Sequence, residues 1–298
     1  MSATTTEGNA AGVPGRVFAV VGATGQQGGA TARALLAAGA GVRALVRDPQ
    51  AGAAQALGQL GAQLTRADLE DADRLRAAFT GVDGVFAMTT FAGPRGTEGE
   101  VEHGRLIGDA ARGADVPHVL YSSVGGAERH TGIPHFESKR RVEEHLSSLG
   151  VPVTFVRPTF FMDNFNRSGP QEQDGGLVLR SPLAPGVPLQ MIAVGDIGAV
   201  AAAALLHPDR VPVGSIEIAG DELTGEQIAD AFGRQAGLPA RFEPLPLAAL
   251  AGDPDLDAMF TWFTRLPAYQ ADFAATRELH PGVHDLPTWL ATTSQPRT

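Results

Sequence analysis

The sequence predicts a doubly wound parallel α/β fold, with a smaller α/β lobe at its carboxyl end, on three observations. Residues 17–28 read VFAVVGATGQQG, an apolar β-rich run broken by glycines and followed by helix-forming residues. Through the first half, short apolar runs alternate with helix-length stretches. Strands of that kind need helices on both faces of a parallel sheet, and right-handed crossovers put them there. The second half loses this alternation after a stretch rich in glycine, proline and glutamine.

Taken in order, the strands are expected at Val17–Val21, Val42–Val46, Ala62–Thr65, Val85–Met88, Val119–Ser122 and Val153–Val156. Helices are expected between them, at Ala30–Ala38, Asp71–Phe79, Glu98–Arg112 and Glu137–Leu149. Residues 168–190 read as an extended loop or flap. A strand at Leu189–Val194 leads to Asp196, placed to cap a helix over Ile197–Leu206. Ser215–Ala219 reads as another strand. Thr224 then caps a helix to about Gln235, with Glu226 and Gln227 in its first turn. Proline-broken short helices run from Gly237 through Trp289. The expected division is a tail at 1–15, a dinucleotide-binding Rossmann domain at 16–158 and a substrate-facing lobe at 159–298. Residues 189–219 are expected to return to the main sheet.

A chain of 298 residues with 43% hydrophobic content can bury a sizeable core. Its 33 acidic against 23 basic residues argue against nucleic-acid binding, which needs clustered positive charge. No apolar run is long enough to span a membrane. The small, polar first fifteen residues lack the pattern of a secretory signal, and a cytoplasmic protein is the simplest expectation. With no cysteine, thiolate catalysis and cysteine-bound metal are out of reach. The histidines show no metal-ligand spacing: His280 and His284 are four apart, but Pro281 and Gly282 between them spoil a helix. No metal site is expected.

A strand, a glycine turn and a helix in that order make a cradle for a dinucleotide pyrophosphate. Glycines let the backbone approach the phosphates, and the helix start offers unpaired N–H groups and a positive dipole end. The cradle residues are Gly22, Thr24, Gly25, Gln26, Gln27 and Gly28. Where NAD-binding folds end the second strand with an acid, this chain has Arg47, whose guanidinium suits a 2′-phosphate. NADP(H) is therefore expected over NAD(H), although Asp48 could still reach a ribose. Asp68, with Leu69 after it, either binds the adenine amine or caps the next helix. Thr89, in the segment Met88–Phe91, lines the cofactor at the end of the fourth strand.

The fifth strand ends in Tyr121–Ser122–Ser123, and His135–Phe136–Glu137–Ser138–Lys139 follows. His135 and Lys139, four apart, share a helix face. With these residues the chain resembles an atypical short-chain dehydrogenase/reductase of the NmrA-like family. GATGQQG resembles that family's glycine signature and HFESK its variant of the Tyr-x-x-x-Lys pair. Arg157–Asn164, RPTFFMDN, resembles its segment after the sixth strand. The resemblance implies that Lys139 holds the nicotinamide ribose and that Ser122 or Ser123 stands where the family's serine orients a carbonyl. His135 replaces the tyrosine. An imidazole titrates near 6.5 where a phenol titrates near 10. As an imidazolium, His135 could give a proton to a developing alkoxide, though a nearby ammonium works against that form. Alternatively it is a helix-start residue without a proton role.

Phe160 and Phe161, beyond the sixth strand, are expected in the cofactor and substrate pocket or in the core. Phe91 and Asn164 are candidate substrate contacts. Trp262, Phe263 and Tyr269, placed on a helical stretch, read as core. Two functions are in view, with a third beside them. One is an NADPH-dependent reductase of a flat apolar carbonyl, quinone or enone, with His135 or water as proton donor. The second is an NADP(H)-binding redox sensor acting through a protein partner. The third is a non-redox biosynthetic enzyme on the same fold.

Overall fold

The computed structural model describes residues 15–211, 214–250 and 252–293. The expected tail, apart from Gly15, lies outside the described residues. The first half alternates as β1 (Val17–Val20), α1 (Gln26–Ala37), β2 (Gly41–Val46), α2 (Gly52–Gln59), β3 (Gln63–Arg66), α3 (Ala72–Phe79), β4 (Gly84–Met88), α4 (Gly96–Gly113), β5 (Val119–Ser122), α5 (Pro134–Ser148) and β6 (Val153–Pro158). The second half continues with β7 (Phe160–Phe161), α6 (Phe165–Ser168), β8 (Gln171–Gln173), β9 (Gly176–Ser181), β10 (Leu189–Ile192), α7 (Val194–Leu206) and β11 (Gly214–Ile218). It ends with β12 (Asp221–Leu223), α8 (Gly225–Ala236), β13 (Ala240–Pro244), α9 (Pro254–Phe263), α10 (Phe273–Leu279) and α11 (Leu286–Thr293).

Seven strands form one sheet in the order β11-β6-β5-β4-β1-β2-β3, and every pairing is parallel. The order reverses between β1 and β4, which opens a crevice at the carboxyl ends of the strands. Each face of the sheet carries its own core. One is built on Phe18, Val20, Leu35 and Phe86 under α1 and α7. The other is built on Ala19, Phe79, Ile107 and Tyr121 under α3, α4 and α5. A third core, around Phe136, Met191, Trp262 and Trp289, belongs to the carboxyl lobe.

Several expectations are corrected. Helix α1 begins at Gln26, not Ala30, because Gly25 in an extended conformation serves as its cap and lets the glycine-rich turn wind directly into helix. Residues 168–190 are not a free flap: β8 and β9 form an antiparallel pair, and β13 adds to β9 in parallel. Strand β13 itself falls where only helices were expected. Helix α2 also went unread, since its alanine–glycine composition has little periodicity. Strand β10 pairs with β7 and β12 in a separate small sheet, whereas β11 extends the main sheet beyond β6.

Asp196 does not cap its helix. Helix α7 starts two residues earlier, and Asp163 accepts the Val194 amide at 2.8 Å. Asp196 is buried instead and gathers His280 (Nε2, 3.2 Å) and His284 (Nδ1, 2.8 Å; backbone N, 2.8 Å). Burial alone would raise its carboxyl, but the hydrogen bonds from both histidines outweigh that and hold it below its ordinary range. Thr224 and Gln227 form the expected capping box. Tyr269 lies beyond the end of α9, not on a helix. Among the described residues no helix is long and apolar enough to cross a membrane.

Candidate functional site

The cradle is built as the glycine spacing requires. Gly22 turns with φ +66°, in the left-handed region that favours glycine, and the Gly25 amide bonds its carbonyl at 2.8 Å. Gly28 lies so close that a methyl group there would sit 2.3 Å from the Gly22 oxygen. No side chain caps α1, and the amides of Gln26 and Gln27 have no acceptor among the described residues. Thr24, Gly25 and Gln26 are exposed at this helix start. Open amides, a dipole end and a cradle without side chains fit a diphosphate.

Farther along the crevice, Arg47 is exposed and has no hydrogen bond or ion pair among the described residues. The Asp48 carboxylate accepts the Gln50 amide at 2.9 Å, so its turn already uses it. Asp68 is used likewise by the Glu70 amide at 3.1 Å, while Asp71 caps α3 through the Arg74 amide. Helix capping is therefore not the role of Asp68. Leu69 is half-buried against the core under α3.

Lys139 sits in a buried polar knot. Its ammonium donates to the Thr89 carbonyl at 2.7 Å and the Thr89 hydroxyl at 3.3 Å, and lies 3.0 Å from Glu100 Oε1. Glu100 is fully buried, and its other oxygen accepts the Ser138 hydroxyl at 2.5 Å. The Tyr121 phenol meets the Thr89 hydroxyl at 2.6 Å, with its ring 5.3 Å from the ammonium. Burial opposes the Lys139 charge, but Tyr121 and Glu100 outweigh it and hold the ammonium above its ordinary range. Burial pushes the Tyr121 phenol up. Thr89 and Glu100 already engage the ammonium, so a ribose contact by Lys139 would compete with them.

His135 lies at the start of α5, where Pro134 fits the first helical position. Its backbone amide donates to Asp255 Oδ1 at 2.9 Å, and its Nδ1 lies 2.5 Å from Asp255 Oδ2 in an ion-pair contact without in-line hydrogen-bond geometry. Burial would raise the Asp255 carboxyl, but His135 outweighs that and holds it below its usual range. Phe91 stacks on the imidazole at 5.0 Å between ring centroids. The remaining ring nitrogen, Nε2, has no protein partner among the described residues.

A cavity of about 410 Å³ opens at the carboxyl ends of the strands. It brings together Gln26, Gln27, Thr89, Phe91, Ser123, His135, Lys139, Phe160, Phe161 and Asn164. Ser122 is not on its wall. That hydroxyl is fully buried and donates to Gln27 at 2.5 Å, tying β5 to α1. Ser123 is on the wall, and its buried hydroxyl has no partner among the described residues. Arg47, Asp68 and Leu69 lie outside this cavity. Sequence reasoning missed Glu100, Asp255, Met259 and Tyr269, all of which line it. Glu100 sits in an ordinary-looking helix, and Asp255 reads as a first-turn acid of α9, so neither carried a signal.

This fold and cleft define a Rossmann-type α/β protein with a glycine-rich β1–α1 cradle at the point where the strand order reverses. More particularly, residues 15–289 match the NmrA-like family, and the chain belongs to it. It is 31% identical over 257 residues to the NmrA-like oxidoreductase FrzB of a Cladobotryum species, covering 77% of this chain and 76% of that one. It is 31% identical over 228 residues to the NAD(P)H azoreductase of Xenophilus azovorans, covering 76% and 77%. Among solved structures it superposes on NmrA, a negative transcriptional regulator in complex with NAD, with a TM-score of 0.79 at 23% identity, covering 92% and 94%. The same regulator is also solved with NADP.

Proposed function

We propose that this chain binds NAD(P)(H) in the β1–α1 cradle and reduces a flat apolar acceptor, a carbonyl, quinone or enone, in the adjoining cavity. The observation that carries this is the junction of the cradle with an aromatic-walled cavity containing a carboxylate-anchored imidazole. The bound cofactor would supply the hydride. The chain's own task is to bind the acceptor between Phe91, Phe160 and Phe161, to exclude water and to deliver one proton. His135 Nε2 is the group placed to do so, since Asp255 fixes the ring from its Nδ1 side. Hydride plus proton accounts for a two-electron reduction of the acceptor.

Consumption of NADPH and NADH across quinones, enones, ketones and azo compounds tests this, and no turnover with any of them would overturn it. In the same assay Asp255→Asn is expected to lower kcat about tenfold with little change in KM, because the role of Asp255 in this reading is to position the proton donor, not to bind the acceptor. An equal loss in KM would assign Asp255 to binding instead.

Arg47 supports a preference for NADP(H), being a free guanidinium just beyond β2. Arg47→Ala is expected to weaken NADPH binding about tenfold and to leave NADH unchanged. Equal wild-type affinities by calorimetry would remove the preference.

A second reading is a redox sensor that binds NAD(P)(H) and acts through a protein partner. The absence of a tyrosine at position 135 favours it, and NmrA, whose fold this chain shares, is a negative transcriptional regulator. It predicts protein capture that changes when NADPH is added, and an unchanged partner set counts against it.

A further inference from the structure

Phe160 stands between the cavity beside His135 and a neighbouring one. This second cavity is about 400 Å³, and Phe160, Asn164, Leu256 and Met259 line both. The rest of its wall is largely apolar, with Phe165, Leu179, Leu183 and Phe242 among its residues. Its charged side chains among the described residues are Arg167 and Arg180, with no carboxylate among them. The two arginines differ. Arg180 is neutralised, with Nε 2.9 Å from Glu243 Oε2 and a second nitrogen donating to Gln173 at 2.6 Å. Arg167, in α6, is exposed and has no hydrogen bond or ion pair among the described residues. A chain of net charge −10 thus presents a guanidinium, unpaired among the described residues, on a largely apolar wall.

We propose that the second chamber is a binding subsite for the apolar arm of an elongated substrate whose anionic end, a carboxylate or sulfonate, pairs with Arg167. This rests on reading the first cavity as the substrate site: the reducible group lies by His135, and the arm passes Phe160 into the space behind. Together the two chambers suit a molecule of several rings, since each alone is near the lower end of ligand-site volumes. A free guanidinium recognises an oxyanion, since two of its N–H groups can meet two oxygens of a carboxylate or sulfonate.

Two fluorescent probes of nearly the same shape test this on the intact chain: 8-anilinonaphthalene-1-sulfonate and its uncharged parent N-phenyl-1-naphthylamine. Titration of the wild type is expected to give about fivefold or tighter binding of the sulfonate. Arg167→Gln is expected to erase that difference, and Arg180→Gln to keep it. Leu256→Trp, at a partly exposed position on the shared wall, is expected to weaken both probes at least about threefold. Equal affinities in the wild type, or a preference that survives Arg167→Gln, would overturn the subsite. Turnover is not the readout. A protein that prefers the sulfonate through Arg167 yet reduces nothing would count against the reductase reading alone.

Discussion

Replacing Gly28 with alanine is expected to weaken NAD(P)H binding roughly ten- to hundredfold. The added methyl group would lie 2.3 Å from the Gly22 oxygen, 2.6 Å from the Gly22 carbonyl carbon and 2.8 Å from the Val21 oxygen. All three are backbone atoms, so no side chain can rotate away. The helix must move off the strand instead. Overpacking of this kind costs about 1–3 kcal/mol, and about 1.4 kcal/mol is tenfold in affinity. The displacement carries the open amides of Gln26 and Gln27 away from where the proposed diphosphate would lie. Calorimetric titration reads the loss, with circular dichroism to show that the variant is folded. Gly52→Ala is the control, because nothing lies within 4 Å of its added carbon. Undiminished binding by a folded Gly28→Ala protein would overturn the cradle.

Glu100→Ala is expected to cost about 3–5 kcal/mol of folding stability. Glu100 is fully buried and answers the Lys139 ammonium at 3.0 Å, the Thr89 hydroxyl at 3.2 Å and the Ser138 hydroxyl at 2.5 Å. Its removal leaves a buried cation with hydrogen bonds to Thr89 but no countercharge. A buried pair opened on one side costs more than a pair replaced on both sides by apolar groups. The double variant Glu100→Leu with Lys139→Met is therefore expected to lose less than Glu100→Ala. Urea denaturation reads both, and a double variant weaker than the single one would show that the knot is more than a compensated ion pair. The pH dependence follows from Lys139. Its folded ammonium is held above its ordinary range, so its contribution is complete below about pH 10, the unfolded value, and is lost only as pH rises through the folded one.

The cradle was readable because its physics is local. Gly22, Gly25 and Gly28 sit within seven residues, and each answers to a backbone constraint its neighbours create. His135 and Lys139 were readable as one helix face for the same reason. Asp255 was not, because it stands 120 positions from His135 and meets it only when α9 folds over the start of α5. Ser122 and Ser123 show how fine the boundary is. They are adjacent in the chain, yet strand alternation turns Ser122 toward Gln27 and leaves Ser123 on the cavity wall. The loop reading of 168–190 failed because turn-rich composition dominated, while the pairing of β9 with β13 joins segments some sixty residues apart.

Periodicity and glycine spacing alone determined the parallel sheet, most of the helices on its faces and the place of the cradle, since each depends on forces between residues close along the chain. The partner of His135, the countercharge of Lys139 and the chamber beyond Phe160 were decided only in three dimensions. A buried charge must find whichever opposite group packing brings near it, and no rule of spacing links positions that meet only through the whole fold.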